Sequence, residues 1–437
     1  MRCLAVRLLV ILSIFFAIIP AYAEGPSVIK LSLRKALKIG QERHADVLMA
    51  DERVQQALSR VGQSRAGLLP QVHGILNAGR QTRDLRGQGI ALPGDPHVGP
   101  FNSVDARVRL TQALLDPSAI SRMEQAAHGK QLSVSEARKV QSDVLALVAI
   151  LFINARQSDA DFKSRRAELA FVYQNFLAAK TSFRQGVISQ SDWEDVQVNL
   201  ARSYAQYHQA KSQEARDRLE LCAALNLPLD AVIEYLSDDL GINVDQAQQR
   251  NWARPADVEV AQDRVTLNIA QRNVERSQQW PQIAALADYG RTGESFDEAS
   301  NTYTVGLQVS VPFWEGGLRT EKIKEAESRL RESQWELERT RRANHARLLE
   351  SVEAMQAAKV SQTKAKWQSK AQARQFKIAM QKYKNGSGSL VDVYQSWSVK
   401  SAIRAQENDA FSAYQLAQIN VAHALGLLTE IVKEPHQ

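Results

Sequence analysis

Two long stretches of the chain contain no proline and carry apolar residues at every third or fourth position. They lie between Pro117 and Pro228 and between Pro312 and Pro435. Proline breaks helices, and this spacing places apolar side chains along one helical face. The recurring positions include Val140, Val144, Leu147 and Leu151 in the first stretch and Leu348, Val352 and Met355 in the second. The pattern predicts long helices that pack as in a coiled coil.

Each stretch is predicted to fold back on itself at a glycine. Helices are expected from about residue 118 to 185 and from 190 to 227, with a turn at Gly186. In the second pair, one helix is expected from about 318 to 385. After a turn at Gly386-Ser387-Gly388-Ser389, the returning helix is expected to end at about 425. At 1.5 Å per residue the longer helices measure about 100 Å, more than a globular domain usually needs.

Four segments between the helices alternate apolar and polar residues, which predicts β-strands. The clearest are 302–311 and 103–111, with weaker partners at 72–80 and 283–291. In 103–111, Asp105, Arg107 and Arg109 share the polar face. About ten residues is the length of a membrane-spanning β-strand. The pattern alone also fits two solvated hairpins that pack on a helical body.

A membrane barrel closes only with enough strands, and this requirement sets the number of chains that it needs. Known membrane barrels need at least about eight strands, and in lipid every strand edge must be paired. Four strands per chain are too few. Three copies supply twelve strands, and the same symmetry assembles the long helices into a second, helical tube.

The two halves of the chain are similar to each other. Phe183-Arg184-Gln185-Gly186 aligns with Tyr383-Lys384-Asn385-Gly386, and Asp192 aligns with Asp392 at the same offset of 200. This duplication predicts a first repeat at 24–227, a linker at 228–251, a second repeat at 252–427 and a tail at 428–437. Each repeat contains a helix, two strands and a long helical hairpin. A longer insert around 87–100 in the first copy is predicted to be a surface loop.

Residues 1–23 are interpreted as a cleaved signal peptide. A short basic start precedes an apolar run from Leu8 to Pro20, and Ala21-Tyr22-Ala23 follows as a cleavage site. The alternative is a membrane anchor, although the run is short for a span. After residue 23 the sequence contains no run of about 18 apolar residues, so no transmembrane helix is predicted.

Composition and motifs exclude several classes of protein. The chain has 55 Lys and Arg against 48 Asp and Glu, a formal charge of +7 that falls to +5 without Arg2 and Arg7. The basic residues do not form the clustered patch that nucleic-acid binding requires. The sequence lacks catalytic and metal-binding motifs, so neither an enzyme nor a cofactor is predicted. Cys222 is expected to be buried and unreactive.

Four motifs, taken in order, resemble the TolC family of outer-membrane efflux and secretion channels. They are Leu31-Ser32-Leu33-Arg34-Lys35-Ala36-Leu37, Leu69-Pro70-Gln71, the segment 309–319 with the sequence VSVPFWEGGLR, and Tyr383-x-x-Gly386-x-x-x-Leu390-Val391-Asp392-Val393. The resemblance covers almost all of the mature chain.

The resemblance implies a homotrimer with a mixed membrane α/β fold. A 12-stranded β-barrel in the outer membrane of a Gram-negative bacterium continues as a long α-helical barrel in the periplasm. The channel is passive, and an inner-membrane transporter and a periplasmic adaptor protein are its partners. No cofactor or nucleic acid is implied.

The resemblance also assigns roles to individual residues. Asp392 matches an acidic ring at the periplasmic entrance, and Asp192 with Tyr383 matches a latch that holds the entrance closed. Gly186 and Gly386 mark the tips that contact the adaptor. Asp105, Arg107 and Arg109 are expected to face the barrel lumen. An alternative for Asp192 and Asp392 is an ordinary helix N-terminal carboxylate that interacts with the helix dipole.

Two positions depart from the family pattern, and the cargo is left open. Gly388 replaces an arginine and Gln395 replaces a second acidic residue, so both closure and cation selectivity are in question. The cargo is protein, as in type I secretion, or small toxic molecules and metals; the absence of a lipidation cysteine favours secretion slightly. The alternative function is a soluble periplasmic coiled-coil scaffold or adaptor.

Overall fold

The computed structural model describes residues 28–84, 97–236, 255–388 and 390–429. The predicted signal peptide, most of the linker and most of the tail lie outside these ranges. The described strands are β1 (Val28–Leu31), β2 (Gln71–Asp84), β3 (His97–Leu115), β4 (Val232–Tyr235), β5 (Gln282–Gly293) and β6 (Ser300–Ser310). The described helices are α1 (Leu33–Arg43), α2 (Ala45–Ala66), α3 (Pro117–Arg184), α4 (Gln190–Ala224), α5 (Ala256–Ser277), α6 (Leu318–Lys384) and α7 (Leu390–Ala424).

The four long helices α3, α4, α6 and α7 confirm the helical prediction. Helices α3 and α6 contain 68 and 67 residues, and α4 and α7 contain 35 each. Their starts lie within one residue of the predicted positions. Helix α4 ends at Ala224 instead of Leu227, because Asn226 adopts a left-handed conformation with φ of 51° that stops the helix.

All four long helices end in the same backbone motif. Gly186, Asn226, Gly386 and Gly426 have φ between 51° and 72°. The residue after each donates its N–H to the carbonyl five positions earlier, at 2.9–3.0 Å. This arrangement satisfies carbonyls that the last helical turn leaves without a partner. The motifs recur at the offset of 200 that the sequence repeat predicts.

One compact unit comprises residues 1–39 and 151–240, of which 28–39 and 151–236 are described. Strands β1 and β4 pair in parallel, with Val28 opposite Val232 and Leu31 opposite Tyr235. Phe152 is fully buried and meets the Tyr235 ring edge-on at 5.7 Å. These two short strands were not predicted from the sequence.

The second unit comprises residues 40–150 and 241–437 and contains a four-stranded antiparallel sheet. The order is β2-β3-β5-β6, so β3 and β5 join a hairpin from each sequence repeat into one sheet. The two hairpins are therefore not separate. Strand β3 begins at His97 instead of residue 103, and its pairing with β2 continues past an irregularity between Gln81 and Arg83. Residues 97–100 of the predicted surface loop thus belong to β3, and residues 87–96 lie outside the described ranges.

The helical part of the second unit contains the predicted apolar stripe. Leu348, Val352 and Met355 of α6 pack against a buried cluster formed by Val421, Leu425 and Leu427 at the end of α7. Of the described helices, α3 has one 18-residue window apolar enough to span a membrane, and half of that window is buried in the protein. Core helices also have such windows, so this window is weak evidence for a span.

Candidate functional site

The four-stranded sheet has one apolar face and one polar face. Residues that pair across antiparallel strands share a face, so Val108, Tyr289 and Tyr303 lie in one row. Leu110, Ala287 and Val305 form the next row. The apolar face further includes Val72, Leu76, Ala106, Leu307 and Val309. Arg107 and Gly290 pair on the opposite face.

The apolar face is exposed along its whole length. Tyr303, Val305 and Leu307 are 78%, 77% and 70% exposed. Contiguous apolar surface of this kind marks a membrane or protein interface. Phe313 and Trp314, which follow β6, are also exposed. On the face itself, aliphatic side chains adjoin the Tyr289–Tyr303 pair, a distribution typical of membrane strands.

The polar face contains an ion-pair network centred on Arg107. Its Nε lies 2.9 Å from both carboxylate oxygens of Asp105, and its Nη1 lies 3.3 Å from Oδ1 of Asp288. The Thr292 hydroxyl donates to Asp105 Oδ1 at 3.0 Å. Arg109 shares this face, with Asp288 opposite it in the register. Asp105, Arg107 and Arg109 thus lie on the same face of β3, and their position in a barrel lumen stays a prediction.

Sequence reasoning missed Asp288 and Thr292. Both lie on β5, which was predicted only as a weaker strand at 283–291. The alternation of polar and apolar residues along β5 is the signal that could have found them. Even-numbered positions of β5 face the same side of the sheet as odd-numbered positions of β3. The register between the two repeats, which no local pattern reveals, decides that Asp288 meets Arg107.

At the turn between α3 and α4, which is the first helical hairpin end and lies in the first unit, a capping box stabilises the start of α4. Ser189 caps α4; its hydroxyl accepts a hydrogen bond from the Asp192 N–H at 3.1 Å and donates to Asp192 Oδ2 at 2.7 Å. The Ser189 N–H donates to the same carboxylate at 3.3 Å. Asp192 therefore has the helix N-terminal role that was the alternative to a latch. Trp193 stacks on Phe176 and Phe183.

The second hairpin end, in the second unit, is built differently. Asp392 lies exposed in the first turn of α7, and Tyr383 lies 42% exposed in the last turn of α6. Burial raises the pKa of Tyr394 to about 12, and the nearby Tyr383 adds to this rise. Lys400 lies over the rings of Phe376 and Trp397 at 4.5 and 4.9 Å.

Comparison with known proteins identifies the family. The sequence profile described as "Outer membrane efflux protein" matches residues 37–227 and 244–427. The chain belongs to the outer membrane efflux protein family. This membership confirms the resemblance to TolC-like proteins and the predicted location in the outer membrane.

Relatives of this outer membrane efflux protein include secretion and channel proteins. The chain is 24% identical over 286 residues to the alkaline protease secretion protein AprF of Pseudomonas aeruginosa, across 63% of the chain and 59% of AprF. It is 22% identical over 403 residues to the outer membrane protein TolC of Escherichia coli, across 86% of the chain and 78% of TolC. The CmeC outer membrane channel of Campylobacter jejuni has the same fold, with a TM-score of 0.76, 16% identity and coverage of 90% and 85%.

The second unit of this outer membrane efflux protein also contains a chain of ion pairs across four helices. Lys139 of α3 lies 2.9 Å from Asp143 and 2.9 Å from Asp257 of α5. Arg347 of α6 reaches Asp257 at 3.3 Å, and His423 of α7 reaches Asp143 at 2.9 Å. Burial raises the pKa of Asp143, but hydrogen bonds from His423 and Lys139 outweigh it and leave the pKa lowered.

Two further features of the protein concern other kinds of site. In the first unit, α3 and α4 enclose a groove of about 750 Å³ lined by Tyr173, Phe176, Tyr204 and Tyr207. Cys222 is buried, as predicted, and burial raises its pKa. Among the residues that the structure describes, no cluster of three or more His, Cys, Asp or Glu side chains is placed to hold a metal ion.

Proposed function

We propose that the chain is a passive outer-membrane exit duct. The observation that carries this proposal is the two-faced sheet. Its apolar face is exposed from Val72 to Val309, while its polar face holds the Arg107 network. This arrangement suits a surface that meets lipid on one side and water on the other.

Three copies supply the twelve strands that close a barrel. In the sheet order, β2 and β6 are the two edges, so each pairs with another strand of the described sheet on one side only. Pairing of β6 of one copy with β2 of the next removes every edge, which lipid requires. The same symmetry places α3, α4, α6 and α7 around one axis as a periplasmic helical barrel, with residues 24–227 and 252–427 as the two repeats.

The duct takes no part in catalysis and draws its energy from its partners. An inner-membrane transporter and a periplasmic adaptor are the proposed partners, and the hairpin tips at Gly186 and Gly386 are the proposed adaptor contacts. Both tips are exposed glycines in left-handed turns, with no atom within 4 Å of an added Cβ. Open, polar turns of this kind are suited to docking another helical hairpin.

Closure is proposed to depend on the two hairpin ends. Three copies of Asp392 form an acidic ring at the periplasmic entrance, which favours cations. Asp192 and Tyr383 form the latch. The exposed position of Asp392 supports the ring, and the partial exposure of Tyr383 supports the latch. The capping-box role of Asp192 is compatible with a latch, because a carboxylate accepts several hydrogen bonds.

The cargo is proposed to be protein, with small toxic molecules or metals as the alternative. AprF, whose name describes protease secretion, supports protein export. A soluble periplasmic scaffold is the competing function. The exposed apolar face of β6 argues against it, because a water-soluble scaffold gains nothing from Tyr303, Val305 and Leu307 at the surface.

Single-channel conductance in a planar bilayer tests the duct directly. The purified mature protein is expected to give small, long-lived, cation-preferring steps. Asp392→Asn is expected to weaken the cation preference, and Asp51→Asn, an exposed carboxylate on α2, serves as the matched control. Folded protein that never inserts, and that salt washes from membranes, would support the scaffold instead.

A further inference from the structure

The apolar face of the sheet carries arginine at the end remote from the helices. Helices adjoin the sheet where β2 and β5 begin and where β3 and β6 end. Since the family protein extends from the outer membrane into the periplasm, the opposite end of the sheet faces the cell exterior. Arg291 of β5 lies at this outer end, on the same face as Tyr289 and Tyr303, and Asn301 of β6 is its direct partner in the register.

We propose that Arg291, with Asn301 and the Tyr289–Tyr303 pair, binds the phosphate of an anionic lipid headgroup in the outer leaflet. The proposal rests on the proposed duct, because it requires the apolar face to meet lipid. The residues form two consecutive rows: a tyrosine pair at the edge of the apolar band and an arginine–asparagine pair beyond it. Tyrosine is typical of the membrane interface, and arginine pairs with phosphate.

Depth supports this position for Arg291. On the lipid face of a barrel an arginine is destabilising by about 2–4 kcal/mol at the midplane and about 0–1 kcal/mol near the interface. The rows on the helical side of Tyr289 and Tyr303 are Ala and aliphatic residues down to Ile283 and Val309. On β5 and β6, Arg291 and Asn301 therefore form the first polar row beyond the apolar rows; on β3 and β2 the same row continues through Ala106 and Leu76.

The guanidinium of Arg291 is held in place by the loop between β5 and β6. Its Nε and Nη2 both donate to the Ala299 carbonyl, at 3.2 and 2.8 Å. The loop approaches because Gly293 has no side chain; a Cβ there would lie 2.6 Å from the Ala299 Cα. A guanidinium has five N–H donors, so two bonds to one carbonyl leave others for a phosphate. An arginine held in this way loses less conformational entropy when it binds.

Charges of both signs lie around the site. Arg80 of β2 is exposed on the same face, also toward the outer end. Glu294, Asp297 and Glu298 lie in the loop beyond the strand ends. Among the described residues, Arg291 donates to the Ala299 carbonyl and to none of these three carboxylates.

Equilibrium binding of fluorescent phosphatidic acid to the purified protein in neutral detergent tests the site. Arg291→Gln is expected to weaken binding about fivefold, the effect of about one arginine at a lipid surface. Arg291→Lys keeps the charge and is expected to retain most of the binding. Arg109→Gln, an exposed arginine on the opposite face of the same sheet, is the matched control and is expected to leave lipid binding unchanged.

Two results would overturn the site. One is equal lipid affinity for Arg291→Gln and the wild type. The other is an equal loss in Arg109→Gln, which would show a non-specific response to net charge. If the wild type still conducts in planar bilayers, either result removes the headgroup site alone. Absence of both conduction and membrane insertion would instead remove the proposed duct.

Discussion

Arg107 and Gly290 lie directly opposite each other on neighbouring strands, and the glycine leaves room for the arginine. A Cβ on Gly290 would lie 2.5 Å from the Arg107 Cβ and 2.4 Å from the Ala106 carbonyl oxygen. We expect Gly290→Ala to destabilise the protein by about 1–3 kcal/mol, because strand β5 must shift away from β3. Thermal unfolding in detergent measures this change. Gly74→Ala is the control, since no atom lies within 4 Å of its Cβ; an equal loss in both variants would contradict the steric explanation.

Removal of the Arg107 charge is expected to change ion selectivity more than stability. Arg107→Gln leaves Asp105 and Asp288 without their shared cation, so three copies add negative charge to the proposed lumen. The reversal potential under a salt gradient should shift toward cations. The free energy of unfolding should change little, because the side chains of the network keep some contact with solvent. Asp288→Asn in the same background should return the selectivity toward the wild type.

The proposed latch is tested by the double variant Asp192→Ala with Tyr383→Phe. Loss of one hydrogen bond is worth about 1 kcal/mol, so each protomer should open about fivefold more often. Single-channel recording should then show a higher mean conductance. Unchanged conductance would remove the latch.

A control separates the latch from the capping box. Ser189→Ala removes the cap of α4, at about 1 kcal/mol of helix stability, and keeps the Asp192 carboxylate. If the latch explanation holds, this variant conducts like the wild type. If it conducts as much as the double variant, the effect of Asp192 acts through the helix cap.

The ion pairs of Asp143 should make stability depend on pH. Its pKa is lowered in the folded protein, so its contribution is present above its ordinary value of 3.8 and disappears as pH falls through the lower folded value. Asp143→Asn should lower the melting temperature at pH 7 and flatten the acid limb of the stability curve. The expected change is at most about 1 kcal/mol, since the carboxylate is half exposed. Melting curves from pH 3 to 8 test this, and a variant curve parallel to the wild type would contradict it.

The sequence was most informative where local patterns decide the structure. The absence of proline and the glycines at 186 and 386 were sufficient to predict α3, α4, α6 and α7 to within a few residues. The early end of α4 escaped prediction because Asn226, unlike glycine, seldom adopts a left-handed conformation. The first part of β3 escaped it because Gly99 and Pro100 usually interrupt strands.

Contacts between distant segments could not be read from the sequence. Asp288 and Thr292 join Asp105 and Arg107 only because β3 and β5 pair in one register. His423 belongs to no recognisable motif, and it meets Asp143 from a position 280 residues away. Strands β1 and β4 have four residues each, too few for a visible alternation.

The pairing of β3 with β5 has a consequence for the order of folding. Arg107 and Asp288, which meet across this pair, are separated by 181 residues. A contact of such high sequence separation forms late, because the loop must close before it gains any stability. During export, the β2–β3 hairpin can form as soon as it emerges, but its β3 edge stays open until the second repeat arrives. Until the second repeat pairs with it, a newly exported chain therefore carries an unprotected strand edge that is prone to aggregation.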